Sequence, residues 1–154
     1  MPINANIFQL AKAIDLTAGT LFTIEEQWYV RGQLHNNHQQ LVESAIPLTP
    51  GADYFDLGGQ HCIALARPHT IECRVIGPIR GPGRPLPSSL TWTVTGDIVY
   101  TEPVSKKFIT FAGEESNGVN AREAFFAGHW GIWVLDANGK EVSRDPLVVI
   151  GAEA

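Results

Sequence analysis

Apolar and polar residues alternate along Thr20–His35, TLFTIEEQWYVRGQLH. Phe22, Ile24, Trp28, Val30 and Leu34 share one parity, while Thr23, Glu25, Gln27, Tyr29, Arg31, Gln33 and His35 share the other. Successive side chains of a strand point to opposite faces, so this stretch predicts a half-buried strand with an apolar inner row. Leu21 and Glu26 break the alternation. Sixteen extended residues would span about 50 Å, well beyond a usual strand. A bend or bulge is therefore expected at Glu25–Glu26, dividing the run between two parts of a curved sheet.

The flanking patterns fill in the rest. Ile3, Ile7, Leu10 and Ile14 recur at helical spacing, with Asn4 or Asn6 able to cap and Gly19 beyond the end, so 1–19 predicts a short amphipathic helix or terminal arm. NNHQQ is a polar turn, and LVESAIPLT is a short strand that Pro47 confines to a sheet edge. Gly51–Gly59 is loop, and His61–Ile76 predicts a hairpin turning at Pro68–His69. Gly77–Ser89, GPIRGPGRPLPSS, has four prolines and three glycines and reads as a long irregular loop, either a surface crossover or a contact-making segment. In SLTWTVT, Leu90, Trp92 and Val94 are expected inward and the threonines outward, with Gly96–Asp97 turning into Ile98–Thr101. Val104–Phe111 is a further strand, and Phe125–Leu135 and Glu141–Ile150 flank the Asp136–Gly139 turn. Together these predict one all-β domain over 1–154, a sandwich or barrel of about seven to nine antiparallel strands with one short N-terminal helix.

Composition narrows the function classes. Charged residues make up only 18% and hydrophobic residues 44%, so some surface is expected to lie against something other than water, such as a sister subunit. A net charge of −5 argues against a general nucleic-acid binder, which needs a basic face. No apolar run is long enough for a membrane-spanning helix, and the first residues lack the pattern of a secretory signal, so a cytoplasmic protein, or a particle assembled in the cytosol, is the expectation. Cys62 and Cys73 would be diagonal neighbours in the expected hairpin, about 7–8 Å apart, which favours free thiols over a bridge.

Local catalytic signatures are absent: there is no G-x-S-x-G, H-E-x-x-H, G-x-G-x-x-G, phosphate-binding loop or C-x-x-C. His35 and His38 have a metal-compatible spacing but no third ligand nearby, and a solvated turn accounts for them, so neither a metal nor a cofactor is implied. Glu26 is the candidate acid–base group. Without a bulge it would lie between Ile24 and Trp28 on the apolar face, where burial raises a carboxyl pKa. With the bend it turns to solvent. Trp130 and Trp133 differ in parity, so one of them must be covered on the outside or stand exposed.

These features support a non-catalytic binding or assembly module, a structural subunit of a larger homo-oligomer or particle such as a phage or virus component. Arg80, Arg84, Trp130 and Trp133 are its candidate contact residues, and its partners are copies of itself or neighbouring structural subunits. The alternative is a small β-barrel enzyme or binding protein for an apolar molecule, of the cyclase or isomerase kind, with Glu26, Tyr29 or His129 moving protons. A carbohydrate-binding sandwich using an exposed tryptophan is the third reading.

Overall fold

The computed structural model describes residues 7–49 and 52–151, which form three antiparallel sheets that do not close into a barrel. The first sheet has the order β1 (Phe8–Lys12), β6 (His61–Leu65), β2 (Leu21–Ile24), β3 (Gln27–His35), β4 (Leu41–Pro47), β5 (Phe55–Asp56). The second runs β11 (Phe108–Ile109), β10 (Ile98–Thr101), β9 (Leu90–Trp92), β12 (Ala124–Ala127), β8 (Arg80–Gly83). The third is β14 (Val148–Ile150), β13 (Trp130–Leu135), β7 (Thr70–Val75).

The all-β class is as expected, but the N-terminal helix is not formed. Phe8–Lys12 pairs residue by residue with His61–Leu65, and only Ala13–Asp15 makes a single 3-10 turn. Ile7 and Leu10, neighbours on a helical stripe, go instead to opposite environments: Ile7 is in the core and Leu10 is 74% exposed. A free sheet edge satisfies every second backbone group of β1, which a lone short helix at this position could not match. Ile3 lies outside the described residues.

Glu25–Glu26 is not a bend in one strand but a full reversal. Both residues have left-handed φ (51° and 66°), the conformation of a two-residue hairpin turn, and β2 folds back on β3 with Ile24 opposite Gln27. The alternating run therefore supplies two adjacent strands. Pro47 ends β4 opposite Tyr29, and β5 pairs only at Ser44 and Ala45, so the missing proline N–H leaves no gap in the ladder.

The expected His61–Ile76 hairpin is also absent. β6 joins β1 and β2, whereas β7 leaves for β13, so Cys62 and Cys73 sit in different sheets as free thiols. Burial pushes the Cys73 thiol up to about 12, with Glu72 adding to the effect. Phe125–Leu135 is likewise two strands, parted at Gly128–His129 and placed in different sheets. Within the Gly77–Ser89 loop, Arg80–Gly83 does join a ladder, against β12 with a register shift.

Two apolar layers flank the six-stranded sheet. On one face Leu21, Val30, Leu34, Ile46 and Leu65 pack into the main core with Tyr100, Trp130 and Ile132 of the other two sheets. On the other face Phe22, Tyr29, Ala45, Cys62 and Ala64 form a thinner layer, closed over by Ala13, Leu16, Phe55 and Leu57. Small residues make that layer thin enough for short flanking segments to cover it.

The three sheets meet at an aromatic cluster. Trp130 is fully buried, its indole N–H donates to the Ser88 carbonyl (2.8 Å), and Tyr100 and Phe111 lie 5.9 Å from it between ring centroids. The Tyr100 hydroxyl donates to the Pro47 carbonyl at 2.6 Å, tying β10 to the end of β4, and burial raises its pKa. Along 90–94 the expected sidedness holds at Leu90, which is buried, but Thr91 in β9 and Thr93 beyond it are buried as well, and Val94 is exposed. Their hydroxyls are satisfied internally, Thr91 against Thr101 at 2.9 Å and Thr93 by accepting the Asp97 N–H at 3.0 Å, so burial leaves no orphan.

Candidate functional site

The most exposed apolar feature of the six-stranded sheet is a row that crosses four strands. Leu10 is opposite Ile63, Ile63 opposite Thr23, and Thr23 opposite Trp28. By strand parity this row lies on the same face as Phe8, Leu65, Leu21 and Val30, which are two residues further along each strand and face the main core. The core face therefore continues past the sheets that cover it and ends bare. Leu10 is 74% and Ile63 48% exposed, and together with Ile24 and Trp28 they line a groove of about 770 Å³. Phe8 supports Trp28 from beneath, with ring centroids 5.9 Å apart.

The rim of the groove is acidic. Glu25 and Glu26 form its edge, both exposed at the hairpin tip. Two successive non-glycine residues in the left-handed region strain the turn, at about 1 kcal/mol or more each, where asparagine and glycine would be at ease. The Glu25→Asn/Glu26→Gly double variant is accordingly expected to raise the unfolding free energy by about 1–2 kcal/mol, read from the urea midpoint at unchanged slope. An unchanged or lowered midpoint would mean that the two glutamates are not strained.

The proline-rich loop supplies a surface of opposite character. Ile79 and Leu86 are more than half exposed there, and Arg80 and Arg84 are exposed beside them. Their surroundings differ. Arg80 stands in β8 opposite Phe126, whereas Arg84 lines a separate pocket with Lys106 and Arg122.

The other expected site residues are scattered. Glu26 is at the hairpin tip and exposed, so the acid–base role that required its burial loses its premise. Tyr29 points away from the groove into the thin second core, between Phe22 and Phe55 at 5.6 and 5.3 Å, and burial followed by the nearby Glu25 raises its pKa. His129 lies between β12 and β13 beside Gly77. Of the three only Glu26 lines the groove, and the barrel interior that would have held a substrate is not formed.

Of the two tryptophans, Trp130 is core, and Trp133 is covered by the Arg74 guanidinium, 4.8 Å from its ring centroid, while its N–H donates to the Arg144 carbonyl. His35 is held by Glu115, which Lys107 also contacts at 2.9 Å, and His38 is exposed in the following turn. Partial burial alone would raise the Glu115 carboxyl, but its hydrogen bonds with His35 and Lys107 outweigh this and hold it below its ordinary range.

No protein family, curated protein or solved structure matches this chain. Its function has to be read from its own surface. Sequence places Leu10 on a helical stripe and Ile63 in a hairpin, and only the cross-strand register shows them to be neighbours. Arg122 lies far along the chain from Lys106 and Phe108, and no local signal joins them. No helix among the described residues is long and apolar enough to cross a membrane.

Proposed function

We propose that this chain is a non-catalytic assembly module whose acid-rimmed apolar groove receives the Gly77–Ser89 loop of a second copy. The observation that carries this reading is the Leu10–Ile63–Thr23–Trp28 row, a continuation of the core face that is half-buried at Thr23 and Trp28 and exposed at Leu10 and Ile63. Contiguous apolar surface of this kind is stabilised by a partner. The loop complements it: Ile79 and Leu86 offer apolar area, and Arg80 and Arg84 can reach the Glu25 and Glu26 carboxylates. Its prolines reduce the entropy lost on docking. Groove and loop are different surfaces, so the contact is head-to-tail and builds a ring or an open filament rather than a two-fold dimer.

Light scattering on the eluting protein should give a multiple of the 16.8 kDa chain mass. Leu10→Ser/Ile63→Glu should bring the mass down to one chain while leaving cooperative unfolding intact, because both positions are exposed. A wild-type protein that stays a single chain at high concentration sinks the proposal.

A second reading has the groove holding an apolar small molecule, favoured by its volume and by the half-buried Trp28 wall. It predicts a change in Trp28 fluorescence with hydrophobic probes in a protein that remains a single chain.

A further inference from the structure

Arg84, Lys106 and Arg122 come from three separate segments and line one pocket of about 350 Å³, walled also by Phe108, Pro85 and Pro87. No acidic residue lines it, although the chain has 16 acidic residues against 11 lysines and arginines. Arg31, Arg74 and Lys107 are all engaged in ion pairs, yet none of the three pocket cations is in one among the described residues. Cations placed together without a counter-ion repel one another, and a bound anion relieves that repulsion.

The pocket is fixed from below. Glu102 is completely buried, and its carboxylate accepts the Val104 N–H at 3.1 Å together with the N–H and hydroxyl of Ser105. These bonds hold the Glu102 side chain inside the turn and brace the turn itself. Lys106 then adopts a left-handed φ of 59°, with its N–H on the Glu102 carbonyl at 3.0 Å. The neighbouring Lys107 turns instead to Glu115 and the His35 carbonyl. Across the pocket, Pro85 and Pro87 restrict the backbone that carries Arg84.

We propose that this pocket binds a small organic phosphate carrying a flat ring. Two guanidinium forks and an ammonium would hold the phosphoryl oxygens, since arginine matches phosphate bidentately. The half-buried Phe108 ring would give the flat portion a stacking surface. The volume falls within the range of small-ligand sites. Arg84 belongs to both this pocket and the proposed docking loop, whereas Lys106 and Arg122 belong only to the pocket, so variants at those two positions test it apart from the assembly reading.

Adenosine monophosphate, inorganic phosphate and adenosine serve as probes in calorimetric titrations of the full chain at low ionic strength. The nucleotide is expected to bind about tenfold more tightly than phosphate, and adenosine not detectably. Affinity should fall as salt rises. Lys106→Gln/Arg122→Gln should weaken the nucleotide at least about tenfold at an unchanged melting temperature, whereas Lys140→Gln should leave it unaltered. Binding should also survive in the Leu10→Ser/Ile63→Glu variant, which separates this site from the groove. No nucleotide binding, binding untouched by the double variant, or an equal loss with Lys140→Gln overturns the site. Equal affinity for phosphate and nucleotide overturns the stacking role of Phe108.

Discussion

Trp130→Ala is expected to lower the unfolding free energy by about 3–5 kcal/mol, a large part of what a domain of this size has. The side chain is fully buried where the three sheets meet, so its removal leaves a void that no single sheet can close by relaxing. Tyr100 and Phe111 lose their ring contacts with it, and the Ser88 carbonyl loses the indole donor. Trp130→Phe separates these contributions. It restores most of the apolar area but no donor, so a residual loss of about 1–3 kcal/mol should remain. Urea denaturation of both variants reads this directly. A Trp130→Ala protein within about 1 kcal/mol of the parent would show that the aromatic cluster is not where the sheets are held together.

An expected loss of at least about 2–3 kcal/mol accompanies Gly113→Ala, from a single added methyl. Gly113 has φ +92°, and a Cβ there would lie 2.6 Å from the Arg31 carbonyl oxygen and 3.0 Å from the Gly32 Cα. Both neighbours are backbone of β3, so neither can swing aside. The approach is close because the Gln33 N–H donates to the Gly113 carbonyl at 2.8 Å, which clamps the 110–113 turn onto the six-stranded sheet. Gly32→Ala attacks the same junction from the other side, since its Cβ would meet the Gly113 oxygen at 2.8 Å. Gly139→Ala is the internal control. Its φ of +77° is similarly left-handed, but nothing lies within 4 Å of an added Cβ, so only backbone strain of about 1 kcal/mol is expected. Equal losses at Gly113 and Gly139, by thermal or urea unfolding, would remove the contact and leave conformation alone as the cause.

How far the sequence could be read depends on where the determining contacts lie. The β2–β3 segment was legible as strand because its alternation is local, yet the turn at Glu25–Glu26 lacks the Asn-Gly or Asp-Gly that marks a two-residue hairpin, and a reversal read as a bend. Four apolar residues at spacings of four, three and four suggested a helix near the start. Pairing with β6, some fifty residues onward, decided for a strand in Phe8–Lys12. Thr91 and Thr93 read as outward because a hydroxyl normally seeks water, whereas Thr91 and Thr101 satisfy each other inside. Arg80 and Arg84 stand out in any sequence as cations among prolines. That Arg84 shares a pocket with Lys106 and Arg122 follows only from the packing of the second sheet and its loops. The groove was illegible for a similar reason, since Leu10, Ile63 and Trp28 become neighbours only through three strand registers.

The pairing of β7 with β13 also sets an order of events as the chain folds. The β2–β3 hairpin and its extension to β4 close over short loops and need nothing beyond Pro47. Thr70–Val75, by contrast, has Trp130–Leu135 as its strand partner among the described residues, so it must wait until that distant segment arrives. Closing such a loop costs chain entropy before any contact repays it, which places β7–β13 docking late and slows the overall rate. During synthesis the ribosome would release Thr70–Val75 well before its partner exists, leaving Ile71, Cys73 and Val75 open to solvent on a nascent strand. Glu72 and Arg74 alternate with those three residues, and charges so placed would disfavour mispairing in that interval.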